Sequence, residues 1–169
     1  NMIVQYGAAS VYGPDIPLAA FGIVMKVFQI IISITIGMAA GCIPIVGYNY
    51  GAQLLRRCRG VLWRLMGAEF LLGVLALLIT QLFPRQIIDL FGSESELYNE
   101  FAVTTFRVYL CMLPLATVNK AAFIFMQAMG RPVESAGLSF FREVLLAVPL
   151  VMLLPKAFGL MGVLYSMPA

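Results

Sequence analysis

The chain has 169 residues, of which 62% are hydrophobic and 11% charged, with a net charge of +3 and no histidine. A water-soluble domain carries about a quarter charged residues, because its surface has to stay hydrated, so this composition excludes an ordinary soluble fold. The absence of histidine removes His-based acid–base chemistry and the usual zinc sets, and no cationic run interleaved with aromatics is present to serve a nucleic acid.

In chain order, residues 1–13 read as the exit of one helix followed by a loop. Gly13-Pro14-Asp15-Ile16-Pro17 is turn chemistry, in which proline fixes φ and aspartate caps the next helix. The first full span is predicted over about 16–46. Residues 16–50 contain one formal charge, Lys26, and about 20 apolar helical residues suffice to cross the hydrocarbon core. An unbroken helix over 16–50 would be about 50 Å long, so a kink or an early end is expected near Pro44. Gln29, Ser33, Gly37 and Gly41 follow Lys26 at three- and four-residue steps and form one polar, small stripe, with Val27, Ile31 and Ile34 off it. The stripe is expected to look inward. It reads either as a tight packing seam, with Lys26 snorkelling to a headgroup, or as one wall of a solute pathway.

Arg56, Arg57 and Arg59 form a predicted basic loop, and a second span is predicted over 61–83, ending at Pro84. Glu69 lies about eight residues into it, where a carboxyl either pairs with a cation on a neighbouring helix or carries a proton. The connection 84–100 is acidic, with Asp89, Glu94, Glu96 and Glu100 against Arg85, and Ser93 with Glu96 has capping-box spacing. The third span, 101–129, carries a second polar line of Thr117, Lys120 and Gln127 with Asn119 alongside, below a kink expected at Pro114. It closes at Gly130-Arg131-Pro132, and a short loop leads to a fourth span at 138–155. Arg142 and Glu143 open that span, pointing about 100° apart, so each needs a partner elsewhere. A further apolar run occupies 158–169.

The chain is thus expected to be all-α, a single polytopic membrane domain cut from inside a larger protein. Under the positive-inside rule, the loop at Arg56–Arg59 is cytoplasmic and the acidic connection external. Cys42, Cys58 and Cys111 share no metal-ligand spacing and read as packing residues. With no P-loop and no nucleophile elbow, no enzymatic activity, cofactor or metal is expected.

Pro44-Ile45-Val46-Gly47-Tyr48-Asn49-Tyr50-Gly51-Ala52 resembles a signature in the second half of the multidrug and toxic compound extrusion (MATE) transporters. Gln127-Ala128-Met129-Gly130-Arg131-Pro132 is similar to that family's "QALGKP". The segment from Leu138 to Pro149, with Arg142, resembles its following "LLRQ" helix. The resemblance implies part of one six-helix lobe of a twelve-helix transporter, covering its eighth to eleventh helices. It implies multi-pass insertion in the plasma membrane, an N-terminal half as partner, and export of small cationic or amphipathic compounds against H⁺ or Na⁺. Some members carry an acidic cation-binding residue in the tenth helix, and none stands around Val118-Asn119-Lys120. Coupling would then fall to Glu69, Glu143 or the other half. The pathway residues are expected among Lys26, Gln29, Ser33, Asn119, Lys120 and Gln127. Two other readings fit the chain: a lipid-linked oligosaccharide flippase, for which Lys26, Lys120 and Arg142 would supply a cationic cavity, and a non-transporting membrane scaffold.

Overall fold

A computed structural model describes residues 15–91, 96–142, 144 and 149. All regular structure among them is helical: α1 Asp15–Gly41, α2 Ile43–Gly51, α3 Leu55–Leu82, α4 Pro84–Phe91, α5 Glu96–Tyr109, a 3₁₀ turn Leu110–Met112, α6 Leu113–Ala128 and α7 Pro132–Arg142. Among the described residues, three stretches are long and apolar enough to cross a membrane, namely Asp15–Gly51, Leu55–Leu82 and Tyr98–Ala128. The predicted segments at 1–13 and 158–169, most of the fourth span and Glu143 lie outside the described residues.

Local chemistry explains the helix ends. The long first helix breaks at Cys42, because Pro44 in the first turn of α2 has no N–H to bond back to α1. Helix α2 closes on a left-handed residue, Gln53, with φ of 59°. The Leu54 N–H donates to the Asn49 carbonyl at 2.8 Å across this turn, the six-to-one bond of a Schellman cap. The same device ends α6: Gly130 has φ of 74°, the Arg131 N–H donates to the Met126 carbonyl at 3.3 Å, and Pro132 then starts α7. Arg131 and Glu134 pair across the first turn of that helix at 2.8 Å.

Four boundaries differ from the sequence expectation. Arg56, Arg57 and Arg59 belong to the first turns of α3, which begins at Leu55. The connection after Pro84 is partly helical, because α4 buries Pro84 and Ile88 on one face. The expected loop before residue 138 is the first half of α7. Finally, the expected kink at Pro114 is a 3₁₀ turn just ahead of it. Proline disfavours α geometry in the residue before it and offers no N–H to Leu110, so the chain tightens there.

The chain divides into two compact units. The first gathers the described parts of 1–29, 77–112 and 144–169. Its buried residues include Ala20 and Val24 of α1, Ile88 of α4, and Phe101 and Phe106 of α5. Phe21 and Phe28 meet the Tyr109 ring edge-on, with centroids at 5.9 and 5.5 Å, a favoured aromatic geometry, and the Tyr109 hydroxyl donates to the Met25 sulfur at 3.1 Å. The second unit is Ile30–Ala76 with Leu113–Glu143. Its core joins Ala39 of α1, Val46 of α2, Cys58 and Leu65 of α3, and Ala121 and Phe125 of α6.

Candidate functional site

Within the second unit, α3 turns one line of residues inward: Cys58, Leu65, Glu69 and Gly73, spaced seven, four and four apart. That spacing keeps to one face of a 3.6-residue helix, so the register that buries Leu65 also buries Glu69. The Glu69 side chain is fully buried. Among the described residues both of its carboxyl oxygens lack a hydrogen-bond partner of good geometry, as does the hydroxyl of buried Thr35 on α1, although that hydroxyl faces the carboxyl closely enough to interact with it.

The third wall is α6. A Cβ placed on Gly73 would stand 2.5 Å from the Pro114 Cα and 2.6 Å from the Thr117 hydroxyl oxygen, so only glycine admits α6 at this depth. Thr117 is itself fully buried, and its hydroxyl donates to the Glu69 backbone carbonyl at 2.9 Å. The close approach and this interhelical bond place Thr117 beside the Glu69 turn. The result is a carboxyl with two uncommitted oxygens, an uncommitted threonine hydroxyl and a carbonyl-bound hydroxyl, one from each of three helices.

An isolated carboxylate in such surroundings costs several kcal/mol or more, so this arrangement calls for a proton or a small cation. No cluster of three His, Cys, Asp or Glu side chains exists among the described residues. Any cation held here would therefore rest on one carboxyl plus hydroxyl and carbonyl oxygens, a hard set suited to H⁺ or Na⁺ rather than to a transition metal.

The remaining sequence candidates fall elsewhere. Lys26, Gln29 and Ser33 are all exposed, on the side of α1 opposite the buried Val24, Thr35 and Ala39. The stripe is therefore turned away from the buried side of α1, not toward it as expected. Among the described residues a Cβ at Gly37 or Gly41 would meet nothing within 4 Å, whereas a close helix approach is described at Gly73. On α6, Lys120 and Gln127 are exposed and Asn119 half-buried. Thr117, taken with them as one polar line, turns away to the buried face shared by Leu113, Ala121 and Phe125. Arg142 extends over the Phe123 ring at 5.8 Å, and the neighbouring Ser135 hydroxyl donates to the Phe123 carbonyl at 3.1 Å.

Sequence reasoning missed Thr35 and Gly73. A glycine one turn after an intramembrane glutamate was a usable signal for Gly73. Nothing local marked Thr35, a lone threonine in an apolar run.

Comparison with known proteins agrees with this helical, membrane-bound architecture. The chain is 27% identical over 113 residues to the probable multidrug resistance protein YoeA of Bacillus subtilis (strain 168), an alignment covering 67% of this chain and 24% of that protein. It thus spans about a quarter of the length of that relative. No solved structure matches it. The family model of MatE, by contrast, matches residues 1–153, and this multi-pass membrane chain belongs to the MatE family.

Proposed function

We propose that the chain forms part of a secondary exporter that moves multidrug-type or metabolite solutes out across the plasma membrane in exchange for H⁺ or Na⁺. The observation that carries the reading is the Glu69 carboxyl, buried among three helices beside Thr35 and Thr117 with both oxygens uncommitted. Ionisable groups inside a membrane bundle are costly to keep, and they mark ion paths and proton relays. Family membership and the multidrug-resistance name of the Bacillus relative support the same class.

In this reading Glu69 takes up the inward ion and releases it on the other side, and solute export is tied to that exchange. Lys26, Gln29 and Ser33 of α1, and separately Asn119, Lys120 and Gln127 of α6, are the side chains of each helix that meet the solute in this reading. A lysine exposed within an apolar span is costly in lipid, which supports turning this face of α1 to water or to the rest of the transporter.

The test is gradient-driven efflux by the complete transporter in proteoliposomes, with Glu69→Gln against Glu69→Asp. Glu69→Gln is expected to abolish the response to an imposed H⁺ or Na⁺ gradient, cutting driven efflux about tenfold or more, while equilibrium solute binding persists. Glu69→Asp should retain part of the response. Unchanged driven efflux in Glu69→Gln removes Glu69 from the coupling step.

A further inference from the structure

The second unit holds a cavity of about 340 Å³ between α3 and α6, lined by Arg59, Leu62, Met66, Phe125, Met126 and Met129 among others. It differs in kind from the Glu69 site, because its walls are apolar apart from one end. There, α3 presents Arg56, Arg57 and Arg59, all exposed, and Arg64 follows within two turns. Trp63, 67% exposed, stands among them, and tryptophan settles at the headgroup level of a bilayer.

We infer that this cavity is a binding site for an anionic phospholipid, with an acyl chain in the slot and the phosphate on Arg59 and its neighbours. Three observations converge on that occupant. The first is depth. From Leu55 to Met66, both lining residues, α3 rises about 16 Å at 1.5 Å per residue. Exposed Trp63 and Arg64 mark the headgroup level eight and nine residues along that stretch, so the slot begins among the headgroups and its Met66 end enters the hydrocarbon, the level of a phosphate and the first part of an acyl chain.

The second is calibre. A cavity of about 340 Å³ accommodates a stretch of single hydrocarbon chain, whereas a bare helix about 10 Å across would need roughly 1,300 Å³ over the same length. Met66, Met126 and Met129 are unbranched and conform to a flexible chain better than branched side chains do.

The third is charge. The only ionisable side chain among the lining residues besides Tyr50 and Cys58 is Arg59, a cation. A cationic solute would meet repulsion at the mouth, whereas a phosphate gains a bidentate partner. Basic pockets between membrane helices bind anionic headgroups for the same reason. Lipid binding here is independent of the coupling proposed for Glu69 and is read separately from efflux.

The experiment is native mass spectrometry of the complete, delipidated transporter. It is titrated with dioleoylphosphatidylglycerol, dioleoylphosphatidylcholine or glycerol 3-phosphate. The wild type should bind the phosphatidylglycerol at least about fivefold more tightly than the phosphatidylcholine, the factor given by about 1 kcal/mol per basic residue near the surface. Glycerol 3-phosphate should bind far more weakly than either lipid. Arg59→Gln should remove the preference for phosphatidylglycerol, and Ala122→Phe, which fills the slot, should weaken both lipids. A phosphatidylglycerol carrying a photoreactive group on its acyl chain close to the glycerol should crosslink wild-type protein at Met66 or Met126, an outcome that needs no variant to fold. Equal binding of the two lipids, a preference that survives Arg59→Gln, glycerol 3-phosphate binding as tightly as lipid, or crosslinking confined to other surfaces would each overturn the assignment.

Discussion

Gly73 and Glu69 are one helical turn apart on α3, and each depends on the other's neighbour. The hydrogen of Gly73 is what lets Pro114 and Thr117 reach this depth, and Thr117 in turn binds the Glu69 carbonyl. Gly73→Ala would put a methyl group against the Pro114 backbone, which cannot rotate aside as a side chain can. Overpacking of this kind costs about 1–3 kcal/mol. The complete transporter should therefore unfold at a lower temperature as Gly73→Ala, whereas Gly37→Ala, with open space around it, should leave the midpoint unchanged. Thermal unfolding in detergent followed by tryptophan fluorescence reads the difference. The packing of Gly73 on Pro114 and Thr117, and the facing of Glu69 by Thr35, were not legible in the sequence, because they depend on how three separate helices are rotated against one another. Glu69 was legible, since a lone carboxylate in an apolar span is conspicuous whatever packs beside it.

Helix ends divide along the same line between local and non-local causes. The stop at Gly130 could be read directly, because a glycine in a left-handed cap acts on its own backbone, whereas Pro132 closes that span in the sequence reading and instead opens α7 in the structure. The break ahead of α2 was legible for the same reason. The basic turn of α3 was read as a loop because charge marks where apolar sequence ends, whereas an α-helix continues past the hydrocarbon edge without penalty. Helix α4 was hidden similarly: Arg85 and Asp89 are exposed while Ile88 is buried, a one-sided helix that resembles a polar connection when its residues are merely counted. The cap of α2 has one local conflict, a left-handed Gln53 where glycine is favoured. A side chain in that conformation costs about 1–2 kcal/mol. Gln53→Gly should recover much of this as a higher unfolding temperature, and a fall in that temperature would mean the glutamine side chain makes up for its own strain.

For the whole molecule, the four arginines at 56, 57, 59 and 64 set the expected orientation, with the start of α3 on the cytoplasmic side. A single cysteine at Arg57, in an otherwise cysteine-free complete transporter, should react with an impermeant maleimide only in inside-out vesicles. Labelling from outside intact cells would reverse the topology. The contact at Gly73 has a mechanical consequence for the second unit. Backbone lies against backbone there, so the point offers no rotamer to absorb sliding, and it behaves as a fulcrum for α3 on α6. Arg59 lies fourteen residues from Gly73, a lever arm of roughly 21 Å. A tilt of about 10° at the fulcrum therefore swings the basic end of α3 by roughly 4 Å, while Glu69, four residues from the pivot, moves by about 1 Å. Small rotations would open or shut the slot beside Arg59 and leave the Glu69 carboxyl almost in place.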